Sequence, residues 1–130
     1  MSIVAIDIGL KRIGIAVTYD KKVVLPQKPV FRKNRNQAAR DILNILKEKE
    51  ADILIVGIPQ GGSSENEMQR RVNHFVNLID FDGQIYFQNE YGSSTEAKEL
   101  LKGEIKIKRD GRVDSLSASL ILKRWLNLPI

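Results

Sequence analysis

The stretch Ile3-Val4-Ala5-Ile6-Asp7-Ile8-Gly9-Leu10-Lys11-Arg12-Ile13-Gly14-Ile15-Ala16-Val17 decides the fold. Two apolar runs rich in β-branched residues flank a short basic turn led by Gly9, which is the pattern of an antiparallel hairpin rather than of one helix. With residues 9–12 in the loop, Ile8 pairs with Ile13, and Asp7 lies opposite Gly14 with Ala5 and Ala16 nearby on the same face. Asp7 is the residue that does not fit. An ionised carboxylate in an apolar strand costs roughly several kcal/mol unless a cation or strong hydrogen bonds compensate it. The small side chains around it leave room for a metal ion or a phosphate. The simpler alternative is an aspartate that caps the turn at Gly9.

Working outward, Tyr19-Asp20-Lys21-Lys22 is a polar turn, and Val23-Val24-Leu25 resumes a strand that Pro26 and Pro29 interrupt, as suits a sheet edge. From Asn36 the apolar spacing becomes helical, with Ala38, Ala39, Ile42, Leu43, Ile45 and Leu46 forming one stripe. Ile53-Leu54-Ile55-Val56, ended by Gly57, reads as a parallel strand buried on both faces. Ser64-Glu65-Asn66-Glu67 fits a capping box for a second helix whose buried face is Met68, Val72, Phe75, Val76 and Ile79. Ile85-Tyr86-Phe87 is the next strand, and Ser93-Ser94-Thr95-Glu96 caps a third helix that runs through Leu101 and ends at Gly103. After a basic loop over 104–112, a last helix runs from about Val113 to Leu126, with Ala118, Ile121, Leu122 and Trp125 on one face. The order β-β-β-α-β-α-β-α-α predicts an α/β fold: a mixed five-stranded sheet, antiparallel hairpins first and parallel strands afterwards, with helices on both faces.

A chain of 130 residues fits one domain, 1–130, with a sizeable core. It holds no cysteine, which excludes disulfides and thiolate-bound zinc or iron–sulfur clusters. No apolar run approaches the roughly 18 residues of a membrane span, and the N-terminus enters a strand pattern directly, so no membrane association and a cytoplasmic location are expected. The formal net charge of +5 makes polyanions plausible partners, although many small basic proteins bind no nucleic acid.

Two further acids lie where a site would form. Glu90 follows the strand Ile85–Gln88, at the strand end where α/β sheets build sites, although a loop glutamate is often merely solvated. Asp114 opens the last helix on the face of Ala118 and Ile121; its simpler role is to favour the helix dipole, worth about 0.3–1 kcal/mol. Asp110, one turn earlier, is a weaker substitute. Together Asp7, Glu90 and Asp114 are the oxygen donors that a two-metal site requires.

In order along the chain, Asp7-Ile8-Gly9 with Arg12-Ile13-Gly14-Ile15-Ala16, Val56-Gly57-Ile58-Pro59, Glu90 with Ser94-Thr95-Glu96-Ala97, and Val113-Asp114 with Ala118 and Ile121-Leu122 resemble the YqgF/RuvX family. The resemblance spans nearly the whole chain. It implies an RNase H-like fold related to the RuvC Holliday-junction resolvase, and a nuclease that either resolves such junctions or matures the 5′ end of 16S ribosomal RNA. It also implies that Asp7, Glu90 and Asp114 are the catalytic acids. The chain departs from the family at Asn89 and Tyr91, where Asp-Glu-Arg is common, and at Ser117, where an alanine commonly precedes Ala118. Substrate contacts and metal affinity are the properties these departures touch.

Lys11, Arg12, Arg70, Arg71, Lys106, Lys108, Arg109 and Arg112 are candidate phosphate contacts; Ser94 and Thr95 could meet phosphate at a helix N-terminus or simply cap it. His74 lacks a carboxylate pattern around it, and Trp125 reads as core rather than as a base-stacking platform. The leading expectation is a Mg²⁺- or Mn²⁺-dependent endonuclease, with two ions held by Asp7, Glu90 and Asp114. Its partner would be an rRNA precursor, including one carried on ribosomal particles, or branched DNA, and the protein would be a monomer or weak homodimer. A non-catalytic nucleic-acid-binding module is one alternative. An actin-like or sugar kinase is another, since its phosphate hairpin is similar, but such kinases need a second domain.

Overall fold

The hairpin of β1 (Ser2–Ile8) and β2 (Arg12–Thr18) forms in the expected register, Ile8 opposite Ile13 and Asp7 opposite Gly14, in a computed structural model that describes residues 1–58, 65–89 and 112–128. Its turn is closed by the Gly9 N–H donating to the Arg12 carbonyl at 2.9 Å. A Cβ at residue 9 would stand 2.6 Å from that same oxygen, so only glycine lets the backbone close this tightly.

β3 (Leu25–Phe31) pairs antiparallel with β2 and is one edge of the sheet. Two details differ from the sequence expectation. Val23 and Val24 precede the strand, because the Asp20 carboxylate accepts the N–H groups of Lys22 and Val23, each at 2.9 Å, and holds them in a turn. Pro26 and Pro29 lie inside β3 rather than interrupting it. The register slips between Ile13, opposite Val30, and Ile15, opposite Gln27, so β3 carries one extra residue around Pro29. At an edge and at a bulge, a residue without an N–H forfeits little.

α1 (Arg35–Glu48) starts at a capping box: Asn34 accepts from the Gln37 N–H at 2.8 Å while the Gln37 side chain accepts from the backbone of Asn34. β4 (Ala51–Ile58) then runs parallel to β1, which is the central strand of the sheet. α2 (Glu65–Ile79) leads to β5 (Gln84–Asn89), which runs parallel to β4, and α3 (Arg112–Leu126) closes the described chain. The strand order is β3-β2-β1-β4-β5. The expected helix over 93–101 lies outside the described residues, as does the Ser64 cap.

Strand alternation divides the core between the two faces. Val4, Ile6, Ile13, Ile15, Leu54 and Val56 pack beneath α1 and α2. Ile3, Ala5, Ala16 and Ile55 pack beneath α3, through Ala118, Ile121 and Leu122. Trp125 sits at the margin of this second cluster, with its ring 5.4 Å from that of Tyr86. Among the described residues no helix is long and apolar enough to cross a membrane.

Candidate active site

Asp7 belongs by strand alternation to the face that α3 covers, since Ile3 and Ala5 point there, and it is half-buried at the C-terminal end of β1. The residue opposite is Gly14, and the next along β2 on that face is Ala16. Among its described neighbours on β2 the carboxylate therefore meets backbone and a methyl group rather than bulky side chains.

α3 is fastened to the sheet close to the same place. The Ser115 hydroxyl is fully buried, accepts from the Ile15 N–H at 3.3 Å, and donates to the Gln27 carbonyl. It thus bridges β2 and β3 across the bulge. Ser119 in turn donates to the Ser115 carbonyl at 2.9 Å, one helical turn on. Asp114 precedes Ser115 and Gly14 precedes Ile15, so this one hydroxyl brings the backbone of Asp114 close to the strand position opposite Asp7. Ser115 was not singled out in the sequence. A buried serine in a helix that covers a sheet has no local signature, because its partners are about a hundred positions away.

The candidate cations divide around the hairpin tip. Arg12 shares the face of Asp7, and its guanidinium lies over the Phe31 ring, 5.8 Å from the centroid. Lys11 is exposed at the tip itself. Arg70 and Arg71 are exposed on α2, which covers the opposite face, so they flank the tip from the far side. Two cations that the sequence reading passed over join them there. Arg32 donates to the Gly9 carbonyl at 2.7 Å and lies 5.3 Å from the Phe75 ring centroid, and Arg35 opens α1 beside it. Burial lowers the Arg32 pKa from its ordinary value, and repulsion from Arg35 lowers it further. The run Phe31-Arg32-Lys33 was the available signal. Glu90, Ser94, Thr95, Arg109, Lys106 and Lys108 lie outside the described residues, and Arg112 and Asp114 are placed by their backbone in the first turn of α3.

The family model RuvX, described as a Holliday junction resolvase, matches residues 1–128. The chain belongs to the RuvX family. This RuvX chain is 57% identical over 126 residues to a protein of Sulfurimonas denitrificans, covering 97% of each, and 51% identical over 128 residues to one of Sulfurovum, covering 98% of this chain and 100% of the relative. Both relatives bear the name "Putative pre-16S rRNA nuclease". Among solved structures, Thermus thermophilus RuvC in complex with a Holliday junction substrate superposes with a TM-score of 0.62 at 13% identity, covering 98% of this chain and 96% of that one. At that identity the likeness speaks for the fold: the RuvX chain has the RNase H-like fold of the RuvC resolvases, as the sequence resemblance implied.

Proposed function

We propose that this chain is a divalent-metal-dependent endonuclease that hydrolyses phosphodiester bonds and acts in 5′-end maturation of pre-16S rRNA. The observation that carries the proposal is the carboxylate of Asp7 at the strand end opposite Gly14, with the first turn of α3 anchored next to it through Ser115 and Ile15. The names of relatives at 51–57% identity favour an rRNA precursor as substrate. The family description favours a second reading, resolution of branched DNA.

The donor set fits a hard cation. Asp7 offers carboxylate oxygen, and glycine and alanine as its neighbours leave space that larger side chains would fill. In this reading Asp7, Glu90 and Asp114 hold Mg²⁺ or Mn²⁺. When bound, such ions supply Lewis acidity toward phosphate oxygens and lower the pKa of coordinated water. The chain's own residues bind and orient the substrate: Lys11 and Arg12 grip the backbone phosphates nearest Asp7, with Arg70 and Arg71 farther along the strand's path and Ser94, Thr95, Arg109 and Arg112 as further contacts. Residues 1–130 act as one nuclease domain, as a monomer or weak homodimer in the cytoplasm.

The test incubates wild type and Asp7→Asn with pre-16S rRNA and with four-way DNA junctions, with and without Mn²⁺. Metal-dependent cleavage of the rRNA precursor by wild type, lost in Asp7→Asn, is the expected result. Equal cleavage by both proteins, or by neither, overturns the assignment. Cleavage of junctions alone selects the second reading.

A further inference from the structure

A cavity of about 660 Å³ opens beside the hairpin tip on the face away from Asp7, between β1, the β3–α1 connection and α2. Its size falls within the roughly 300–1,000 Å³ of small-ligand sites. Its walls combine two chemistries. Ile8, Leu10, Val72 and Phe75 are apolar, and Leu10 is 80% exposed at the tip. Around them stand Arg32, Arg35, Arg70 and Arg71, with His74 beyond. The Glu67 carboxylate pairs with Arg71 at 2.7 Å, but both side chains are more than half exposed, and such a pair gives way readily to a stronger anion. Arg32 is held in place by the Gly9 carbonyl and the Phe75 ring, so one cation of the rim is preorganised.

A surface that only tracks phosphates needs cations and no apolar floor. A nucleoside phosphate needs both, an apolar or aromatic wall for the base and guanidinium groups for the phosphate. We propose that this cavity binds one unpaired nucleotide of a single-stranded nucleic acid, with its base against Leu10 and Ile8 and its phosphate on Arg35 and Arg70. The strand is continuous with the segment bound at Asp7. Ile8 adjoins Asp7 in sequence and points to the opposite face, so the hairpin tip, Gly9 to Lys11, is the ridge that a strand crosses between the two sites. The inference rests on the nuclease reading of Asp7: it assigns this cavity the single-stranded flank of the substrate.

The test measures binding by fluorescence anisotropy in the absence of divalent ions, so that it is independent of cleavage. The probes are a labelled 12-nucleotide RNA, the same strand with abasic sites, and free AMP and UMP. Proteins are wild type, the double variant Arg35→Glu/Arg70→Glu, and Lys22→Glu/Lys47→Glu, which reverses two exposed charges at the other end of the sheet. Far-UV circular dichroism melts confirm that each variant is folded. The expected result is at least a tenfold loss of RNA affinity in the Arg35/Arg70 variant, less than threefold in the Lys22/Lys47 variant, and at least a threefold loss for the abasic strand on wild type. Equal losses in the two double variants overturn the proposal, and so does unchanged affinity for the abasic strand. Binding of AMP or UMP that depends on Arg35 and Arg70, with RNA affinity unaffected in that variant, overturns the strand assignment. Failure of the nuclease reading shows separately, as wild-type cleavage that is absent or that survives Asp7→Asn.

Discussion

The Ser115 hydroxyl takes a hydrogen bond from the Ile15 N–H across one hundred positions of sequence and passes one on to the Gln27 carbonyl. Ser115→Ala leaves the buried Ile15 N–H without that acceptor, a loss of about 1–3 kcal/mol. The melting temperature should fall by about 5–10 °C. Because α3 carries Asp114 one residue earlier, the proposed role of Asp114 as a metal ligand predicts that cleavage at saturating metal falls by about tenfold or more in kcat with little change in KM. A variant that melts and cleaves like wild type would show that β2 and β3 close their ladder without the hydroxyl.

At the start of α1, Asn34 caps the helix and Gln37 returns the bond. Asn34→Ala should cost about 1 kcal/mol, and Asn34→Asp should restore most of it, because an aspartate accepts the same N–H and favours the positive end of the helix dipole. Urea titration with an unchanged m-value would assign the effect to the folded state.

The turn between β2 and β3 makes stability depend on pH. Backbone hydrogen bonds from Val23 and then Lys22 hold the Asp20 carboxyl below its ordinary value of 3.8. A group whose folded pKa is depressed stabilises the fold above its unfolded pKa, and the contribution is lost as the pH falls through the folded value. Wild type should therefore melt above Asp20→Asn at pH 7, with the difference shrinking toward zero below pH 4. A difference independent of pH across this range would mean that the amide serves the turn as well as the carboxylate does.

The register of the first hairpin was legible because side chains alternate with a period of two, so a one-residue slip would mismatch the buried faces of the two strands, and because Gly9 sets the tight turn. The parallel placement of β4 was legible from its uninterrupted apolar run. The start of β3 was not, because Val23 and Val24 have strand propensity and only the Asp20 side chain bonds keep them out. Sequence spacing also could not show that Arg12 and Arg70 lie on opposite faces of the sheet, since that depends on which side α2 packs. The bridge made by Ser115 was illegible for a related reason: it fills a gap left by a bulge in two other strands.

Gly14 offers a test of the space beside Asp7. It is buried in the middle of β2, directly opposite Asp7, with Cβ positions of such a pair about 4.5–5.5 Å apart. Gly14→Ala adds one methyl group and raises strand propensity, so stability should change by less than about 1 kcal/mol. Gly14→Leu places a branched side chain where the proposed cations and the scissile phosphate meet Asp7. Its cleavage should fall at least a hundredfold, and the rise in melting temperature that Mn²⁺ is expected to give wild type should be lost. The comparison of the two variants separates crowding from loss of the fold: Gly14→Ala must remain folded and retain measurable metal stabilisation. If Gly14→Leu is folded, binds Mn²⁺ and cleaves at the wild-type rate, the space opposite Asp7 has no part in the chemistry and the carboxylate belongs to the turn alone.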